Sequence, residues 1–134
     1  MNRKPRVAVV IGSNSDVDRI QTCLKVLRDH DIPHERFIMS AHREPDKVRT
    51  FAKKARSEGY KVIIAGAGLS NALAGACASY SDLPVIGLPF EAGTLGGMDA
   101  LLSTVQMPPG VPVASVGIGN GRNAALMAVR ILSI

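Results

Sequence analysis

The stretch Val7-Ala8-Val9-Val10-Ile11-Gly12-Ser13-Asn14-Ser15-Asp16 sets five consecutive apolar residues, mostly β-branched, directly before a glycine and a group of small polar residues. An unbroken apolar run of this kind reads as a strand buried on both faces, as in a parallel sheet covered by helices on each side. The polar residues read as a strand-to-helix loop, with Asp16 placed to cap a helix whose apolar face is Val17, Ile20, Leu24 and Leu27. Moving outward, the alternation continues. Arg36–Met39 is a short strand after Pro33, and Pro45 opens a helix with the stripe Val48, Phe51, Ala52 and Ala55, ended by Gly59. Strands at Lys61–Ala65, Val85–Leu88 and Val113–Ile118 are separated by helices at Asn71–Tyr80 and Met98–Val105, with a last helix at Asn123–Leu132.

Strands regularly separated by helices predict an α/β fold, here a single three-layer αβα domain over residues 1–134. Its five-stranded parallel sheet takes the flavodoxin-like order 2-1-3-4-5. The length of 134 residues suits one domain, and 46% hydrophobic against 20% charged residues excludes a disordered chain. With five aromatics and no Trp the core is aliphatic, and thirteen glycines with eight prolines exclude a long coiled coil. Cys23 and Cys77 stand 54 residues apart in apolar surroundings, a pattern of buried reduced thiols and not of a disulfide framework or metal ribbon.

Charge is unevenly spread. Through Lys61 there are fourteen basic and eight acidic residues; from Val62 onward there are two and three. Five charges cannot coat half of a small monomer, so part of the second half is expected to be buried against other copies of the chain. The uncharged run Val62–Ser81 is interrupted by glycine, serine and asparagine, and reads as strand, turn and helix and not as a membrane span. The basic start Met1–Arg6 leads into too short an apolar run for a signal peptide, which points to a soluble cytoplasmic protein.

In a parallel sheet every strand-to-helix loop opens on one edge, where open α/β sheets bind ligands. The unusual loops here are Gly12–Asp16, Ser40–Glu44, Gly66–Asn71 and Pro89–Gly97. Gly12, Ser13, Ser15 and Asp16 combine close backbone approach with hydroxyl donors, as a phosphate-binding loop does, although an ordinary capped turn has the same composition. In Ser40-Ala41-His42-Arg43 the guanidinium can fork onto a phosphate or carboxylate, and the imidazole can move protons near neutral pH. The glycines of Gly66-Ala67-Gly68-Leu69-Ser70-Asn71 permit positive φ or close ligand approach, and Ser70 or Asn71 either caps the next helix or faces a ligand. No metal-ligand spacing and no GxSxG elbow occur, and the basic residues are too interleaved with acids to suggest nucleic-acid binding.

Taken together, Gly12-Ser13-Asn14-Ser15-Asp16, Ser40-Ala41-His42-Arg43-x-Pro45, Ala65-Gly66-Ala67-Gly68, Leu83–Pro89, Val105-Gln106-Met107-Pro108-x-Gly110-x-Pro112-Val113 and Asn123–Leu126 resemble the PurE family of purine biosynthesis. The likeness runs from about Arg6 to Leu132 in order and spacing. It implies formation of 4-carboxy-5-aminoimidazole ribonucleotide without a cofactor or metal. Class I members move the carboxylate of N5-carboxyaminoimidazole ribonucleotide from nitrogen to C4; class II members carboxylate aminoimidazole ribonucleotide with CO2. By this resemblance His42 is the general acid/base. Ser13, Asp16 and Arg43 bind the nucleotide, with Gly12, Ser15, Ser40, Ala41, Gly68, Ser70 and Asn71 beside it, in a homo-oligomer, usually an octamer, whose neighbouring subunits complete the sites.

The chain mixes class features. Class I usually carries Ala-His-Leu-Pro-Gly where this chain has Asn71-Ala72-Leu73-Ala74-Gly75, so Ala72 replaces a second histidine and Ser70-Asn71-Ala72-Leu73 is similar to class II. Arg43 and Pro45 are similar to class I, while Glu44 replaces its usual threonine. The mutase is the leading reading and direct carboxylation the alternative. A carboxylase or decarboxylase acting on another nucleotide-like heterocycle, or a silent nucleotide-binding module, are the further ones.

Overall fold

The computed structural model describes residues 5–134; of the basic N-terminal segment read above, Met1–Lys4 lie outside the described residues. The chain alternates β1 (Val7–Ile11), α1 (Gln21–Asp29), β2 (His34–Ile38), α2 (Pro45–Lys54), β3 (Val62–Ala67), α3 (Ala72–Tyr80), β4 (Val85–Pro89), α4 (Met98–Val105), β5 (Ala114–Ser115) and α5 (Gly121–Leu132). All neighbouring strands pair in parallel, as the alternation predicts, and the sheet order is β2-β1-β3-β4-β5.

The period of two in a strand divides the core. Val7, Val9 and Ile11 face α1 and α5 together with Val62, Ile64, Ile86 and Leu88, while Ala8 and Val10 join Ile63, Ala65 and Val85 under α2 and α3. Apart from Leu73, α3 carries only alanine, glycine and cysteine on its buried positions, so its backbone packs closely on the sheet. Each layer contains one thiol, Cys23 on α1 and Cys77 on α3, both fully buried. Burial pushes both thiols up to about 12. Among the described residues no helix is long and apolar enough to cross a membrane.

Several boundaries differ from the sequence reading. The first helix does not start at Asp16. Asn14–Asp16 form one tight 3-10 turn, Val17–Ile20 remain turns, and α1 begins at Gln21. Asp16 caps nothing, because its carboxylate is drawn sideways into an ion pair with Arg19. β2 starts at His34, two residues early, where the Arg6 and Val7 amides already bond to the Pro33 carbonyl. The fifth strand contracts to Ala114–Ser115 at the sheet edge, between Pro112 and the pair Gly117 and Gly119. Beyond it, single bonds from Val116 to the Gly87 carbonyl and from Gly119 to the Pro89 carbonyl continue the association with β4.

Candidate active site

β1 lies between β2 and β3, so the chain leaves it in one direction and later returns on its other side. That reversal opens a crevice at the carboxyl ends of the central strands, the place where doubly wound sheets accept ligands. The backbone closes its floor: the Met39 amide bonds to the Ile11 carbonyl at 2.9 Å and the Gly12 amide to the Gly66 carbonyl at 3.1 Å. A cleft of about 730 Å³ occupies this edge, within the size range of small-molecule sites.

Ten of the eleven residues nominated from sequence line it: Gly12, Ser13, Ser15, Asp16, Ser40, Ala41, His42, Arg43, Gly68 and Ser70. After β1, the Ser13 and Ser15 hydroxyls lie 2.6 Å apart and bond to each other, one donating and the other accepting, which leaves one hydroxyl proton for a ligand. After β2, the Ser40 hydroxyl accepts the Arg43 amide at 3.1 Å and the Glu44 amide bonds to the Ser40 carbonyl at 2.8 Å. This local turn fixes the backbone of His42 and Arg43 while leaving both side chains exposed in the cleft. One loop thus supplies paired hydroxyls and a carboxylate, the next a proton-transfer group and a forked cation. The arrangement sets hydrogen-bond donors suited to an anion, a carboxylate acceptor and an acid/base group side by side.

Asn71 departs from its expected place. It is fully buried and outside the cleft lining. Its amide nitrogen donates to the Thr104 hydroxyl at 3.0 Å, and its backbone N–H to the Ser103 hydroxyl at 2.8 Å, joining α3 to α4. It provides no side-chain cap for α3. The glycines also have another purpose than positive φ. A Cβ on Gly66 would come within 2.8 Å of the Phe90 ring, and one on Gly68 within 2.5 Å of the Ala92 Cβ. They let the loops after β3 and β4 press together, and the positive φ of 55° falls instead on Leu69.

The cleft also contains residues the sequence reading missed, among them Arg19, Ala67, Leu69, Leu73 and Ala92. Ala72, the residue standing where the resemblance calls for a second histidine, lines the cleft too. The apolar ones come from the end of β3, the loop after it, α3 and the loop after β4, and their residue types carry no chemical flag; Arg19 is not singled out in the sequence. Its position three residues after Asp16 was the available signal. From the Pro89–Gly97 loop only Ala92 reaches the cleft, and Glu91 does not. Among the described residues no cluster of three or more His, Cys, Asp or Glu is arranged to hold a metal ion.

The sequence profile of the AIR carboxylase family matches residues 6–134. N5-carboxyaminoimidazole ribonucleotide mutase of Aquifex aeolicus is 53% identical over 131 residues, which is 98% of this chain and 78% of that protein. Phosphoribosylaminoimidazole carboxylase of Schizosaccharomyces pombe is 47% identical over 129 residues, 96% of this chain but 23% of the longer relative. Among solved structures, Treponema denticola PurE superposes with a TM-score of 0.86 at 32% identity, covering 96% of this chain and 80% of the other.

Proposed function

As the chain belongs to the AIR carboxylase family, we propose that it is a purine-biosynthesis enzyme that forms 4-carboxy-5-aminoimidazole ribonucleotide by moving the carboxylate of N5-carboxyaminoimidazole ribonucleotide to C4. The observation that carries this reading is the meeting of Ser13, Ser15, Asp16, His42 and Arg43 around one cleft. Arg43 and the serine hydroxyls bind the phosphate, and Asp16, an acceptor when ionised, takes the sugar hydroxyls. His42 protonates N5 as the N–C bond breaks and CO2 leaves. The electron-rich C4 then attacks the retained CO2, and His42 recovers the C4 proton, so the reaction is a net isomerisation. The small apolar residues Ala67, Ala72 and Ala92, with the buried Leu73, enclose the CO2 and keep water out.

A second reading, direct carboxylation of aminoimidazole ribonucleotide by CO2, is favoured by Ala72 in the cleft lining, where class I resemblance would put a histidine. Separate assays from N5-carboxyaminoimidazole ribonucleotide and from aminoimidazole ribonucleotide with bicarbonate decide between them. Turnover of neither removes the purine assignment.

The same reading includes a cytoplasmic homo-oligomer, with the octamer implied by the family. Its support is a stripe along α4 and the loop before it: Leu95, Met98, Leu102 and Val105 are between 45% and 62% exposed, a contiguous apolar face on the half of the chain poorest in charge. Analytical ultracentrifugation tests this, and a particle of monomer mass contradicts it.

A further inference from the structure

One cleft residue has no role in the chemistry above. Arg19 lies just past the 3-10 turn and lines the cleft. Its Nη1 donates to Asp16 Oδ1 at 2.8 Å and to the Ser15 carbonyl at 3.4 Å. The Asp16 side chain is 5% exposed while that of Arg19 is 36% exposed, so the pair joins a buried carboxylate to a guanidinium at the cleft mouth. Asp16 Oδ2 has no partner among the described residues and lies over Gly12, 3.8 Å from where a Cβ would sit.

These contacts expose an electrostatic conflict within the loop after β1. Ser13 and Ser15 offer donors to an anion, yet a carboxylate is built into the same few residues. Unneutralised, it repels a phosphate dianion and loses much of its own hydration. Arg19 resolves both problems with one contact. It compensates the charge of Asp16, and by occupying Oδ1 it leaves Oδ2, over Gly12, as the carboxylate oxygen without a partner among the described residues.

We propose that Arg19 is a positioning residue that neutralises and aims Asp16, allowing one short loop to hold a phosphate and a hydroxyl acceptor side by side. The inference rests on the ribonucleotide reading of the cleft. It concerns a residue outside the loop motif, and assigns it action through Asp16 and not direct grip on the ligand.

The test measures affinity for 5-aminoimidazole ribonucleotide and for the unphosphorylated riboside in CO2-free buffer, by calorimetry or competition. The ratio of the two isolates the preference for phosphate. Arg19→Met is expected to lower that ratio by about tenfold, the scale of one unscreened charge at the mouth of a site. Because charge effects on the phosphate add, the action through Asp16 is read with the uncharged riboside: Arg19→Met is expected to lower riboside affinity by about fivefold, and in the Asp16→Asn background to leave it within about twofold, because no carboxylate remains to be aimed. Arg19→Lys retains most of the wild-type ratio, and in steady state Arg19→Met raises KM with kcat held within about threefold. Thermal melting checks folding, and Arg19→Gln carries the comparison should the Met variant unfold. An unchanged ratio in Arg19→Met makes Arg19 a bystander and overturns the proposal. Riboside affinity that Arg19→Met leaves unchanged, or lowers equally in the Asp16→Asn background, shows that Arg19 does not act through Asp16 and overturns it as well. Wild-type protein that binds neither compound removes the ribonucleotide reading itself, and this proposal with it.

Discussion

The cleft wall built by the loops after β1 and β2 and the wall built by the loops after β3 and β4 share one sheet edge but differ in their dominant residue types. The first is dominated by the polar and charged Ser13, Ser15, Asp16, Arg19, Ser40, His42 and Arg43; the second is dominated by Ala67, Gly68, Leu69, Leu73 and Ala92. Side chains of the first bond mainly to one another or to their own loop, and His42 and Arg43 are exposed. The second is an extension of the core, with Leu73 buried and Gly66 and Gly68 in tight contact with Phe90 and Ala92. Chemistry is thus concentrated where packing is light, and enclosure where packing is dense. Substitutions in the first wall should alter kinetics at nearly constant stability, whereas those in the second should alter stability first.

The largest effect expected is on turnover. His42→Asn should lower kcat by about 10²–10⁴-fold, the usual worth of a general acid/base, with the unfolding midpoint hardly changed because the side chain is exposed. Near-normal turnover of this variant would dissolve the assignment of proton transfer to the first wall. Arg43→Met should raise KM by about ten- to a hundredfold through loss of a forked, charge-assisted contact, again without a stability change in urea titration. Gly68→Ala crosses to the second wall. Its methyl would meet the Ala92 Cβ at 2.5 Å, so it should cost about 1–3 kcal/mol of stability by overpacking. Neutral stability with lost binding would instead mean that this glycine makes room for ligand. Leu69→Gly is the smallest change. It relieves the positive φ of 55° and should alter stability by no more than about 1 kcal/mol, left-handed relief being partly offset by glycine's entropy.

The same contrast explains what could be read from sequence. β1 declares itself because five apolar residues in a row have few alternatives, and alternation with helices makes the sheet parallel, while its 2-1-3-4-5 order is expected by analogy with flavodoxin-like folds. His42, Arg43 and the serines are legible because their chemistry is visible in the residue type. Arg19 is not, since a cation three residues after an acid looks like any solvated helix pair until Asp16 is found to be buried. Gly66 and Gly68 looked like ligand-contact glycines because what they meet, Phe90 and Ala92, lies more than twenty residues further along the chain. Asn71 was misplaced for a related reason: Ser103 and Thr104, which hold it, come from another helix. Local pattern predicts what a residue can do, while long-range packing decides where it points.

Cys23 and Cys77 have a practical consequence. Each is sealed in a different helical layer, and with burial pushing both up to about 12, neither offers a thiolate near neutral pH while the fold is closed. A thiol reagent therefore reads two clocks, one counting openings of α1 and the other of α3. Coincident labelling rates would mark a molecule that comes apart as a unit; separate rates would reveal which side of the sheet breathes on its own.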